Sequence, residues 1–142
     1  MADSLQPFLD ALPQTEGLLP KWQLIVATMA IFNTVQNFAT LTLTRRLYTG
    51  VAPTSITELH ARTFAAWTLT SAVVRGYAAY NIHTKVIYDM ALFTYLIAFA
   101  HFTSELFIFR TAKFNLPVLG PVIVSTASLV WMLQQYDFYV KA

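Results

Sequence analysis

Four stretches of this chain, at about residues 22–44, 60–80, 86–109 and 116–136, are long, apolar and sparing in charge. A helix needs about 20 such residues to cross the hydrocarbon core of a bilayer. Breakers separate them: Arg45, Arg46, Gly50 and Pro53 after the first, Asn81 and His83 to Lys85 after the second, and Arg110, Lys113 and Asn115 after the third. Pro117, Gly120 and Pro121 then stand at the start of the fourth, where a first helical turn tolerates proline. With 11% charged residues against 56% hydrophobic, the chain lacks the polar surface of a soluble domain, which averages about 25% charged. No barrel alternation runs through it, and helices and closed barrels are the only structures that span lipid. The expected fold class is therefore all-α: a polytopic membrane protein with a four-transmembrane-helix bundle over residues 22–142. An N-terminal arm over 1–21, flexible or interfacial, precedes it. Asp3, Asp10, Glu16 and three prolines make this arm unlike a signal peptide, and Phe8, Leu9 and Leu12 allow a brief amphipathic turn on the membrane surface.

Several function classes drop out. A net charge of +2, scattered along the chain, gives no nucleic-acid footprint. With no cysteine there is no disulfide, thiolate metal site or cysteine nucleophile. No Walker loop, G-x-G-x-x-G, H-E-x-x-H or G-x-S-x-G occurs, and neither catalytic residues nor a cofactor are expected. Lys21, Lys85 and Lys141 fall at one membrane face against Arg45, Arg46, Arg110 and Lys113 at the other, a split too even to set orientation.

Ionisable groups inside spans are costly and so mark function or structure. Here they are Arg62, Arg75, Asp89, His101 and Glu105. Counting outward from the turn near His83, Arg75 is eight residues before and Asp89 six after, while Arg62 is twenty-one before and Glu105 twenty-two after. An antiparallel hairpin therefore predicts the pairs Arg75–Asp89 and Arg62–Glu105. At about 100° per residue both pairs cannot share one seam, so one arginine is left for another span, a headgroup or a partner protein. His101 and Glu105, four apart, share a face. A metal needs about four ligands, and His60 and His83 lie at opposite depths, so a hydrogen-bonded His–Glu face is expected and no metal. Asn33, Gln36 and Asn37 offer amides for helix contact within the bundle, in an oligomer or with a partner. Ala65, Thr68, Ala72, Gly76 and Ala79 form a small-residue seam where a neighbouring helix can approach.

The ordered set Leu47-Tyr48-Thr49-Gly50, Ala61-Arg62-Thr63-Phe64, Trp67-Thr68-Leu69, Arg75, Ile82-His83, Lys85, Tyr88 and His101-Phe102-Thr103-Ser104-Glu105-Leu106-Phe107 resembles the ergosterol biosynthetic protein 28 family, with Asn33 and Gln36 also fitting. The likeness covers roughly residues 22–135. It implies a four-span protein of the endoplasmic reticulum membrane, able to form a homodimer and without catalytic activity of its own. It also implies a scaffold role in ergosterol biosynthesis, tethering a sterol C-4 methyl oxidase, a C-3 sterol dehydrogenase and a 3-keto sterol reductase, with contact to a sterol C-24 methyltransferase in fungal-type members. Some members end in a lysine-rich retrieval signal, whereas this chain ends Tyr139-Val140-Lys141-Ala142. The alternative functions are a sterol-binding or sterol-transferring membrane protein, and an enzyme using Glu105 with His101.

Overall fold

The computed structural model describes residues 2–140, with side chains from residue 4. Lys141 and Ala142 of the tail and the side chain of Asp3 lie outside the described residues. The described residues are helical, without strands: α1 (Ala2–Ala11), α2 (Leu19–Ala39), α3 (Thr42–Leu47), α4 (Glu58–Tyr80), α5 (Lys85–Phe107), α6 (Leu116–Gln134) and α7 (Tyr136–Tyr139), plus one 3-10 turn at Pro53–Ser55. Two helices, α5 and α6, are long and apolar enough to cross a membrane, and only 28% and 22% of their apolar windows are buried. Amides in α2 and charged or hydroxyl side chains in α4 dilute those helices below the same apolarity.

Local chemistry sets the boundaries. Pro20 stands in the first turn of α2, where its missing N–H removes no helical bond. Thr57 caps α4 with a box in which His60 stands where Glu or Gln is usual: Thr57 Oγ1 accepts from the His60 amide, and the Thr57 amide donates to His60 Nδ1. Asn115 Oδ1 accepts from the Val118 amide at 3.0 Å and caps α6. The first apolar stretch, expected to be helical to 44, stops at Ala39. Thr40 is extended (φ −146°, ψ 161°) and the chain restarts as α3. Threonines at 40, 42 and 44 are poor helix formers. Thr44 Oγ1 donates to Asn37 Oδ1 at 2.6 Å across the break, which satisfies both polar groups. The amphipathic turn expected near Phe8 is the ten-residue α1, with Leu5, Phe8 and Leu9 exposed.

The long helices run up-down-up-down. α2 and α4 form the closest pair, and α5 and α6 the next, with α4 and α5 joined by the short turn at 81–84. The small-residue seam explains the first pair: Ala65 and Ala79 are fully buried and Ala72 is 3% exposed. Around the ring, α2 meets α6 mainly at one end. There Trp22 Nε1 donates to Ser128 Oγ at 2.8 Å, the Trp22 and Trp131 rings pack tilted with centroids 6.2 Å apart, and Gln23 Nε2 reaches Met132 Sδ. Two apolar clusters fill the interior. One gathers Leu19, Val26, Ile82, Tyr88, Tyr95, Met132 and Tyr139; the other gathers Leu47, Phe64, Phe102, Leu106 and Val118.

Tyr139 clasps the first end. Its hydroxyl donates to the Glu16 carbonyl at 3.0 Å, its carbonyl accepts from His83 Nδ1 at 2.8 Å, and its ring packs near Tyr88. Burial raises its phenol pKa. Gly17, at φ +90°, leaves room for this, since a Cβ there would meet the Tyr139 hydroxyl. At the opposite end Gly50 donates to the Thr111 carbonyl at 2.8 Å, and a Cβ on it would lie 2.1 Å from the Arg110 carbonyl oxygen.

Candidate functional site

Among the described residues two ion pairs form, Lys85–Asp89 at 2.6 Å and His101–Glu105 at 3.9 Å, both within α5. The expected pairs Arg75–Asp89 and Arg62–Glu105 do not form. Residue counting matched the depths of the Cα atoms, but side chains lean toward the N-terminus of their helix. On α4 that direction is away from the 81–84 turn, and on α5 it is toward the turn, so partners level in the backbone diverge at their tips. Asp89 instead holds Lys85 and accepts from Tyr136 Oη at 2.7 Å. Arg62 is exposed on the rim of a surface cavity of about 670 Å³, together with Arg45, Arg46 and Glu58.

Arg75 is 7% exposed. Its Nε donates to Thr94 Oγ1 at 3.0 Å, one terminal nitrogen reaches the Thr94 carbonyl at 3.4 Å, and its guanidinium carbon sits 4.1 Å above the Tyr95 ring. Tyr95 in turn donates to Gln23 Oε1 at 2.8 Å. Threonine and an aromatic face thus occupy the place expected for a carboxylate.

His101 and Glu105 anchor a second polar centre at the α3 end. Tyr48 Oη lies 2.7 Å from His101 Nε2, and Glu105 Oε2 accepts from Thr111 Oγ1. Burial first, and the negative charge of Glu105 second, push the Tyr48 phenol well above its ordinary pKa. The phenol therefore keeps its proton and pairs with His101 Nε2, while His101 Nδ1 faces Glu105 at 3.9 Å. Trp67, Tyr48 and Phe102 surround the imidazole edge-on at 5.8, 6.0 and 5.0 Å. Beside this centre runs an open groove of about 600 Å³ between Tyr48, Ile56, Leu59, Phe64 and Trp67. Tyr48 and Trp67 belong to the ordered set that carries the family resemblance, but their place beside His101, and that of Thr111, was not read from the sequence. Tyr48 stands just before a loop, 53 residues from His101, and no periodicity links them.

The amides divide. Asn37, 2% exposed, is spent inside the chain on Thr44 and the Asn33 carbonyl. The Gln36 carbonyl accepts from the Thr40 amide at 2.8 Å, while its side chain is half-buried. The Asn33 side chain lines an interior slot described below. Among the described residues no group of three or more His, Cys, Asp or Glu could hold a metal.

Comparison with known proteins adds a family. The family described as Erg28 like protein matches residues 19–130. Ergosterol biosynthetic protein 28 of Candida albicans is 46% identical over 135 residues, covering 94% of this chain and 97% of that protein. The protein of the same name in Saccharomyces cerevisiae is 43% identical over 132 residues (92% and 87%), and the homolog in Mus musculus 44% over 118 residues (82% and 84%). No solved structure matches.

Proposed function

Because the chain belongs to the ergosterol biosynthetic protein 28 family, we propose that it is a non-catalytic scaffold of the endoplasmic reticulum membrane. In this reading it crosses the bilayer four times and tethers the sterol C-4 methyl oxidase, C-3 sterol dehydrogenase and 3-keto sterol reductase. The observation that carries the reading is the outward face of the bundle. Large apolar side chains stand exposed on all four long helices: Phe32 and Val35 on α2, Val73 and Tyr77 on α4, Phe93 and Ile97 on α5, and Ile123 and Leu133 on α6. Such a surface is stable only against lipid or other membrane helices. The polar centre of Tyr48, His101 and Glu105, by contrast, is spent largely on contacts within the chain. The named relatives work in ergosterol biosynthesis. A tether raises the effective concentration of one enzyme at the product of another, and that suits an intermediate too insoluble to diffuse through water.

The test is co-purification from native membranes. The three demethylating enzymes are expected with this protein, and a contact with the C-24 methyltransferase in the same fraction would extend the set. Recovery without any of them overturns the tethering role, and turnover of a 4-methyl sterol by the isolated protein overturns its non-catalytic character. A second reading, sterol binding or transfer, is favoured by the groove beside Tyr48 and His101, which falls within the usual 300–1,000 Å³ of ligand sites. Stoichiometric sterol uptake by the isolated protein distinguishes it.

A further inference from the structure

Between the two apolar clusters, at mid-height of the bundle, lies a slot of about 190 Å³. It opens sideways between α2 and α6. Their contact at the Trp22 end does not continue, and Gly120 stands at this opening, where an added Cβ would touch nothing within 4 Å. The walls are apolar: Val26, Met29 and Ala30 on one side, Val124 on the other, with Tyr95 and Phe102 behind. Thr68 and Ser125 interrupt that surface but turn their hydroxyls back on the Phe64 and Val122 carbonyls of their own helices, whereas Asn33, Ser71 and Arg75 have hydrogen-bonding capacity left over. Arg75 carries five N–H groups and directs two at Thr94. Among the described residues the others meet no acceptor and the cation meets no carboxylate. Ser71, one helical turn before Arg75 and 7% exposed, makes no side-chain hydrogen bond among the described residues. Asn33 gives its backbone carbonyl to Asn37, and its amide head makes no hydrogen bond among the described residues.

The position of Arg75 sharpens the point. It stands five residues from the end of α4, about 7–8 Å of helix, within reach of the nearer interface, where a lysine or arginine ordinarily extends its charged head. Its guanidinium follows the lean of α4 side chains away from that interface and lies on Thr94 and Tyr95. Thr94 and the Tyr95 face answer this cation in part, but no carboxylate among the described residues neutralises it, and a buried cation is held better when an anion joins it. The free groups at the slot are mainly donors, and a carboxylate, which only accepts, complements them and can take a bidentate arginine contact. The volume limits what can bring it. The slot equals roughly six waters' share of liquid, enough for a carboxyl head and a few carbons and far too narrow for a helix of about 10 Å diameter.

We propose that this slot is a binding site for a hydrophobic carboxylate, its head received by Arg75, Ser71 and Asn33 and its apolar body lying in the opening between α2 and α6. A membrane-borne fatty acid and a steroid acid share this chemistry. The site goes beyond the tethering role and is tested apart from it.

The experiment places the full chain in phosphatidylcholine nanodiscs and adds oleate or cholanoate, each isotope-labelled at the carboxyl carbon. Carbon NMR is then followed through a pH titration. A bound resonance that stays at the ionised position where the label in empty nanodiscs has protonated supports the site. Which acid gives it identifies the source. The methyl ester is expected to displace the bound acid about ten-fold less well or worse, and Arg75→Met is expected to abolish the resonance. Gly120→Leu keeps the guanidinium and blocks the opening, so it gives the same loss even if Arg75→Met fails to fold. Absence of a distinct resonance for both acids, equal displacement by the ester, or undiminished binding in Gly120→Leu would each overturn the proposal.

Discussion

At the scale of single residues, the molecule meets its buried polar groups with hydroxyls and aromatic faces more than with opposite charges. Tyr48 is the clearest case. Removing its hydroxyl in Tyr48→Phe leaves His101 Nε2 without its partner in a ring of aromatics, and that loss is expected to cost about 1–3 kcal/mol, measured as a lower melting temperature in detergent. The pH dependence follows from the raised phenol pKa. Below about pH 10, the ordinary tyrosine value, folded and unfolded states both hold the proton and the contribution is complete. Above it the unfolded chain releases the proton while the folded chain keeps it, so stability falls as pH rises toward the folded value. Wild type should therefore lose more stability than Tyr48→Phe between neutral and strongly alkaline pH, and parallel alkaline melting curves would contradict this. The charged residues were visible in the sequence, but their partners were not. Counting gave the depth of each Cα, whereas the direction of each side chain is a property of the helix it grows from. That is why Arg75 lies on Thr94 and not on Asp89.

At the scale of elements, most of what the sequence announced was start signals and seams. Gly50 and Pro53, then Asn81 and His83, then Arg110 and Asn115 separated the long helices, and Ala65, Ala72 and Ala79 marked the face that meets α2. The end of α2 was hidden because Phe38, Leu41 and Leu43 continue the apolar run while Thr40 breaks the helix. Hydropathy does not register a change of backbone angle. The cap of α6 gives a direct test. Asn115 holds the Val118 amide and also donates to the Arg46 carbonyl at 3.2 Å, joining α6 to the end of α3. Asn115→Ala is expected to cost about 1–2 kcal/mol, seen as a loss of thermal stability, and a variant as stable as wild type would show that the cap carries no weight. Gly50→Ala should be at least as damaging, since its Cβ would collide with backbone and not with a flexible tip. A melting temperature within error of wild type would refute that.

At the scale of the whole molecule, the all-helical class was legible because the bilayer's thickness imposes one length on every spanning segment. The slot between the helix pairs was not, since it arises from how α2 and α6 diverge and no residue pattern encodes a divergence. The four-crossing reading has a clean assay, because the chain contains no cysteine and single cysteines can be placed at will. In intact membranes Phe32→Cys, Val73→Cys, Ile97→Cys and Ile123→Cys should resist a water-soluble maleimide, while Lys21→Cys and Lys113→Cys should react once their side is open to the reagent. Ready labelling at 32 or 73 would mean that α2 or α4 does not cross.

Tyr139 follows all four long helices in the chain yet grips the segment ahead of the first and the turn between the second and third. During synthesis, then, those earlier parts must wait. The ribosome has delivered all four long helices before this bolt can slide home, and a nascent chain arrested short of it would be assembled but unlocked.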